Sequence, residues 1–177
     1  MRSDLLERLR AEPGGPALLE AAIEGVPLVG GAVRDLMLEV SPRELDVVVE
    51  GEIGPLLAAL GGRQVVHERF ETASVELGRA RLDVARARRE RYPQAGALPE
   101  VEPASLGEDL ARRDFTVNAI ALRLSGDRRG ALSHAPGALE DLQARRLRVL
   151  HQASFLDDPT RLWRLGRYAA RLGFEPA

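Results

Sequence analysis

Apolar residues recur at helical spacing over residues 3 to 10 and 16 to 24, whereas residues 44 to 50, ELDVVVE, alternate with the two-residue period of a strand. Residues 53 to 60 return to a helical pattern. Three short runs, 64 to 68, 72 to 77 and 80 to 86, read as strands of a meander, and 106 to 112 as a short helix. A strand over 115 to 124 and a helix over 154 to 172 follow, the helix with Leu162, Leu165, Ala169 and Leu172 as its buried stripe. Residues 87 to 105, ARRERYPQAGALPEVEPAS, hold prolines and clusters of small residues between charged ends, and predict a long loop. The order of elements predicts an α+β fold.

Chemistry enters on the strand at 44 to 50. Alternation puts Glu44 and Asp46 on one face and Leu45, Val47 and Val49 on the other, so the apolar face can be buried while the acidic pair looks into a cleft. Adjacent carboxylates repel unless a cation or proton lies between them, and Mg²⁺ prefers such oxygen ligands. An acidic, solvated edge strand satisfies the same spacing. Asp83, between Leu82 and Val84, points away from the face those two bury; it completes the cluster if its strand lies beside 44 to 50, and otherwise pairs with Arg81 or Arg86.

Ahead of the acidic strand, Gly30 and Gly31 separate the apolar run Val26 to Val29 from a short helical pattern, and so predict a strand-to-helix turn. Backbone N–H groups at such a turn can approach a phosphate. The G-x-G-x-x-G of dinucleotide folds and the G-K-[ST] of P-loops are both missing there. Arg34 can neutralise phosphate charge or pair with its neighbour Asp35.

Composition narrows the picture only in places. The chain of 177 residues is 45% hydrophobic and 29% charged, as expected of a soluble domain, and its net charge of −2 gives no global attraction to nucleic acid. Seven arginines against two aspartates over residues 145 to 171 make one locally basic stretch. The absence of cysteine excludes disulfides and thiolate metal sites. No signal peptide or apolar run of membrane length is visible, so a cytoplasmic location and no membrane partner are expected.

The pattern G-G-x-V-R-D followed by a strand with paired carboxylates resembles the first motif of the class II tRNA nucleotidyltransferases, the CCA-adding enzymes and bacterial poly(A) polymerases of the polymerase-beta-like superfamily. Three further motifs follow in order: RLDVARAR at 81 to 88, LARRDFTVNAIAL at 110 to 122, and FLDDPTRLWRLGRYAARLGF at 155 to 174. The resemblance implies a polymerase-beta-like head over residues 1 to 141, a small mixed or antiparallel sheet flanked by helices, with 142 to 177 beginning a helical neck.

It implies further that Glu44, Asp46 and Asp83 hold two Mg²⁺ ions for nucleotidyl transfer. Gly30, Gly31, Arg34, Arg113, Asp114 and Asn118 would then contact the nucleotide, while Asp158 and Arg161 read the base of CTP or ATP. The implied reaction adds C, A or both to tRNA 3′ ends and releases pyrophosphate. A poly(A) polymerase, or a nucleotide- or RNA-binding domain without catalysis, are the alternatives. Two departures bear on these. Glu44 stands where the family has Asp, and LSHAPGALEDL at 132 to 142 lacks the leading Asp and one Gly of a segment resembling D-P-x-G-G-x-x-D-L. Relatives continue into neck, body and tail regions that grip tRNA, so residues 1 to 177 are expected to bind tRNA weakly.

Overall fold

The computed structural model describes residues 2 to 68 and 71 to 177. Two helices, α1 (Arg2–Ala11) and α2 (Gly15–Ala21), precede the strand β1 (Pro27–Val29). A seven-residue helix, α3 (Gly31–Met37), leads to β2 (Leu45–Val49), and α4 (Gly54–Leu60) leads to the meander β3 (Arg63–His67), β4 (Thr72–Leu77) and β5 (Ala80–Arg86). With β8 (Ile120–Arg123) and β9 (Leu132–His134) these strands form a seven-stranded sheet in the order β3-β4-β5-β2-β1-β8-β9. Within this sheet β2 and β5 are parallel neighbours and the other described pairs are antiparallel. The expected α+β fold with a mixed sheet is therefore the one observed.

The sheet buries both faces. Leu28, Val47, Val49, Leu82 and Val84 pack with Leu9, Leu18, Leu36 and Leu56 from the first four helices in the larger core. A smaller core on Val29, Val48, Ala119 and Ala121 is covered by α5 (Leu106–Ala111). Val48 alternates away from Val47 and Val49, as the two-residue period requires. The C-terminal part, α6 (Ala138–Gln143), β10 (Arg146–Leu147), α7 (Ser154–Asp157), α8 (Thr160–Leu172) and β11 (Glu175–Pro176), packs against the larger core through Leu147 and Phe174. No helix among the described residues is long and apolar enough to cross a membrane.

Four expectations are corrected. Residues 87 to 105 are not a structureless loop: β6 (Arg88–Arg91) pairs antiparallel with β7 (Glu100–Pro103). This hairpin is polar on both faces and is fastened by cross-strand charges such as Arg89 to Glu102 at 2.6 Å, so it carries none of the apolar alternation by which strands are recognised. The helix expected over 154 to 172 is broken between α7 and α8. Asp158 is extended at φ −133°, ψ 92°, because Pro159 disfavours helical backbone in the residue before it. In α8 the place expected for Leu162 in the buried stripe is taken by Arg161, which is 4% exposed while Leu162 is 55% exposed. The strand expected over 115 to 124 begins with a 3₁₀ turn at Thr116–Asn118.

Candidate functional site

The parallel pairing of β2 with β5 sets Asp46 directly beside Asp83, and Glu44 lies just before β2 begins. One carboxylate oxygen from each of the three residues lies within 4.8 Å of the other two. Burial, and then the charge of Glu44, push the Asp46 carboxyl up to about 6. Ser74 Oγ donates to Asp83 Oδ1 at 2.6 Å, and Arg81 Nε lies 3.5 Å from the same oxygen. Asp83 thus meets both expectations, cluster member and partner of Arg81. The cluster is short of positive charge and presents only oxygen donors, so it fits a divalent cation such as Mg²⁺.

A cleft of about 820 Å³ adjoins this cluster, and Glu44, Asp46, Gly31, Arg34, Asn118 and Asp158 contribute to its walls. Arg113, Asp114 and Arg161 line it as well. Gly30 and Asp83 stand just outside the lining. Gly30 has φ 72°, ψ −135°, a backbone conformation that requires glycine, and a Cβ there would sit 2.7 Å from Arg113 Nη1 and displace that guanidinium.

Arg34 occupies the cleft floor. Its Nε and Nη2 donate to Asp35 Oδ1 at 2.9 and 2.7 Å, its Nη1 donates to Asn118 Oδ1, and its guanidinium lies 5.3 Å from the centre of the Tyr168 ring. The pairing with Asp35 is therefore present, and at 1% exposure Arg34 acts on the cleft mainly through its field. Asn118 Nδ2 passes the network on to Asp114 Oδ1, which also accepts the Phe115 N–H. The other oxygen of Asp114 is buried and forms an ion pair with Arg164 Nη2 at 2.8 Å.

Arg112 and Arg113 share one carboxylate. Asp109, fully buried on α5, accepts from Arg112 Nη2 at 2.6 Å and from Arg113 Nη2 at 2.9 Å. Burial opposes the charge of Asp109, but Arg113 and Arg112 together outweigh it and hold the carboxyl below its ordinary value. Arg113 Nε is buried and finds no acceptor among the described residues. On the far wall, Arg161 Nη1 donates to Ser154 Oγ at 2.6 Å and its Nη2 to the Arg112 carbonyl at 2.9 Å. Asp158 Oδ2 lies 3.7 Å from Arg161 Nε, while its Oδ1 accepts from Thr160 N and Oγ1. The two residues share one wall, although Asp158 precedes α8 rather than lying on it.

Sequence reasoning missed several residues of the cleft. Arg164, Arg167 and Arg171 follow Arg161 around α8 and line the same space. Their spacing of three, three and four residues was the available signal. Within the basic stretch they differ from Arg148, which pairs with Asp141 at 3.0 Å instead. Tyr92 and Glu90 come from the unexpected hairpin, joined by a 3.1 Å hydrogen bond from the phenol. Burial and the Glu90 charge raise the Tyr92 pKa. Asp109 gave no signal beyond its spacing from the two arginines.

An acidic trio beside an arginine-lined cleft suits chemistry on a metal-bound triphosphate. Residues 26 to 148 match the model of the poly(A) polymerase head domain. The chain is 45% identical over 152 residues to an A-adding tRNA nucleotidyltransferase of Aquifex aeolicus, covering 84% of this chain and 18% of that protein. It is 48% identical over 155 residues to a CC-adding tRNA nucleotidyltransferase of Deinococcus radiodurans, covering 85% and 41%. The structure of a CCA-adding enzyme with CTP superposes with a TM-score of 0.81 at 35% identity, over 99% of this chain and 41% of that one. The chain thus spans less than half the length of these relatives. Motifs, fold and relatives converge: this chain belongs to the class II tRNA nucleotidyltransferase and poly(A) polymerase head-domain family.

Proposed function

We propose that this chain is the catalytic head of a template-independent nucleotidyltransferase that adds C, A or both from CTP and ATP to tRNA 3′ ends. The observation that carries the reading is the convergence of the Glu44, Asp46 and Asp83 carboxylates at the edge of the arginine-lined cleft. Relatives matching most of this chain add A or CC to tRNA, and one with the same fold holds CTP.

Glu44, Asp46 and Asp83 would hold Mg²⁺, which supplies an activated RNA 3′-hydroxyl and charge neutralisation at the leaving pyrophosphate. The bond from the 3′-oxygen to the α-phosphorus forms as the bond from that phosphorus to the bridging oxygen of pyrophosphate breaks. Arg113, which lines the cleft beside the Gly30 turn, offers its guanidinium to a phosphate oxygen, and the buried Arg34 adds positive field. Asp114 lines the cleft and suits a ribose hydroxyl, with Asn118 holding one of its carboxylate oxygens and Arg164 pairing with the other. Asp158 and Arg161 present an acceptor and donors from one wall. Cytosine and adenine both pair an exocyclic amino donor with a ring-nitrogen acceptor, so this set favours CTP and ATP over UTP and GTP. The preference is worth about 1 to 3 kcal/mol per mismatched buried group.

Incorporation of labelled CTP and ATP with Mg²⁺ into tRNAs ending at the discriminator base, C or CC tests this directly. Addition that disappears in Asp46→Ala is the expected result. No addition by the 177-residue chain, and none after it is joined to the neck and body of a relative, would refute it. Arg161→Ala with unchanged selectivity against UTP would remove the base-reading role alone.

A further inference from the structure

Arg113 is held from one side only. Its Nη2 donates to Asp109 Oδ2 at 2.9 Å, its Nε has no acceptor among the described residues, and its Nη1 lies where a Cβ on Gly30 would sit 2.7 Å away. Arg112, by contrast, has three anchors: Asp109 Oδ1 at 2.6 Å, Glu90 Oε1 at 2.8 Å and the Arg88 carbonyl at 3.0 Å. Asp109 is 0% exposed, and its Oδ1 also accepts the Arg88 N–H at 3.3 Å. It lies outside the cleft lining and has no access to substrate.

From this geometry we infer that Asp109 is the positioning residue for the phosphate end of the cleft, fixing the Arg113 guanidinium against the Gly30 turn so that the part of it that lines the cleft faces a polyphosphate. The inference rests on the nucleotide reading proposed above and adds to it the residue that sets the arginine.

The physical grounds are geometric. A guanidinium is planar, and a carboxylate that engages one edge of it fixes the direction of the remaining N–H groups. An arginine without that anchor would sample several rotamers and lose entropy on meeting a phosphate, so preorganisation by Asp109 raises affinity without touching the ligand. The ion pair also persists through the neutral range, since the two arginines keep the Asp109 carboxyl ionised. Glu90 leaves Arg112 partly held when Asp109 is neutralised, so the effect falls chiefly on Arg113 and much less on the base-reading wall.

The test is a double-mutant cycle on the full chain with Asp109→Asn, Arg113→Lys and both together, read by binding of inorganic tripolyphosphate in the presence of Mg²⁺. Asp109→Asn should weaken binding about tenfold or more in the wild-type background, the scale on which outer-shell partners of ligating groups act. It should have little further effect once Arg113 is Lys, because the anchor acts through that guanidinium. An equal loss in both backgrounds, or no loss in either, overturns the inference, since a purely structural role is additive. If Asp109→Asn does not fold, Asp109→Glu, which keeps the charge but moves the carboxylate by one methylene, runs the same cycle under the same criteria.

A second readout separates this inference from the reading it rests on. In protein labelled with ¹⁵N-arginine, the Arg113 Nε–Hε signal should exchange faster with solvent in Asp109→Asn than in the wild type. Faster exchange in a protein whose wild type binds no polyphosphate would uphold the anchor and refute the nucleotide reading. Unchanged exchange refutes the anchor whatever the wild type binds.

Discussion

Asp46 and Asp109 are two aspartates serving one cleft, and their surroundings push them in opposite directions. Asp46 is raised to about 6 by burial and then by Glu44, with Asp83 adding to the repulsion. Asp109 is more deeply enclosed, yet is held below its ordinary value because Arg113 and Arg112 outweigh the cost of burial. Burial alone therefore does not determine the charge state; the sign of the nearest fixed charges does. One carboxylate is left with a deficit that a cation from outside can fill. The other is neutralised from within and becomes part of the framework.

The sharpest way to break this comparison is to delete the uncompensated member. Asp46→Ala should lower Mg²⁺-dependent incorporation into tRNA by at least about 10³-fold, since the cation supplies several kcal/mol to the transition state. Thermal stability of the same variant without metal should not fall in parallel, because the lost carboxylate was repelled by its neighbours. Deleting the compensated member should do the reverse to the fold. Asp109→Asn is expected to cost about 3 kcal/mol in urea denaturation, the low end for a broken buried pair, because Arg112 and Arg113 keep some solvent access.

A pH series sharpens the contrast at smaller amplitude. In folded, metal-free protein Asp46 keeps its proton up to about 6, whereas the unfolded chain releases it near the ordinary aspartate value. Between those limits the folded state binds more protons, so stability from this group is present at low pH and is lost as pH rises through about 6. Scanning calorimetry across that window should show the decline in the wild type and not in Asp46→Asn. Adding Mg²⁺ should reverse it at the upper end. The smallest effect is expected at Glu44, whose exposed carboxylate already converges with the other two. Glu44→Asp should alter the incorporation rate by less than about tenfold, within the roughly 10²-fold that a poorly placed ligand can cost; a much larger gain would mark the present site as decayed.

How much of this was legible before the fold was known depended on whether the signal was local. Strand alternation at 44 to 50 placed Asp46 opposite the buried valines, and the motif order pointed to Asp83 as its companion. The break at Pro159 was also written in the chain, through the constraint a proline places on the residue before it. The charged hairpin at 88 to 103 was not legible, because its strands are recognised only by the partners they ion-pair with. Arg161 offered the opposite lesson. An arginine reads as a surface residue, yet here the Ser154 hydroxyl and the Arg112 carbonyl satisfy it in the interior.

The sequence by itself determined the α+β class, the glycine turn and the acidic strand, because each rests on the periodicity or spacing of neighbouring residues, and its four ordered motifs pointed to the family by resemblance. Only the tertiary structure decided that Asp46 and Asp83 stand side by side, since the parallel register of β2 and β5 is set by the packing of the elements between them. It alone decided, too, which arginines face the cleft and which carboxylate anchors them. A side chain's ionisable group is encoded by its own codon, but its partner can come from any part of the chain, and the charge state and the energy of the pair depend on the burial and geometry that the complete fold imposes.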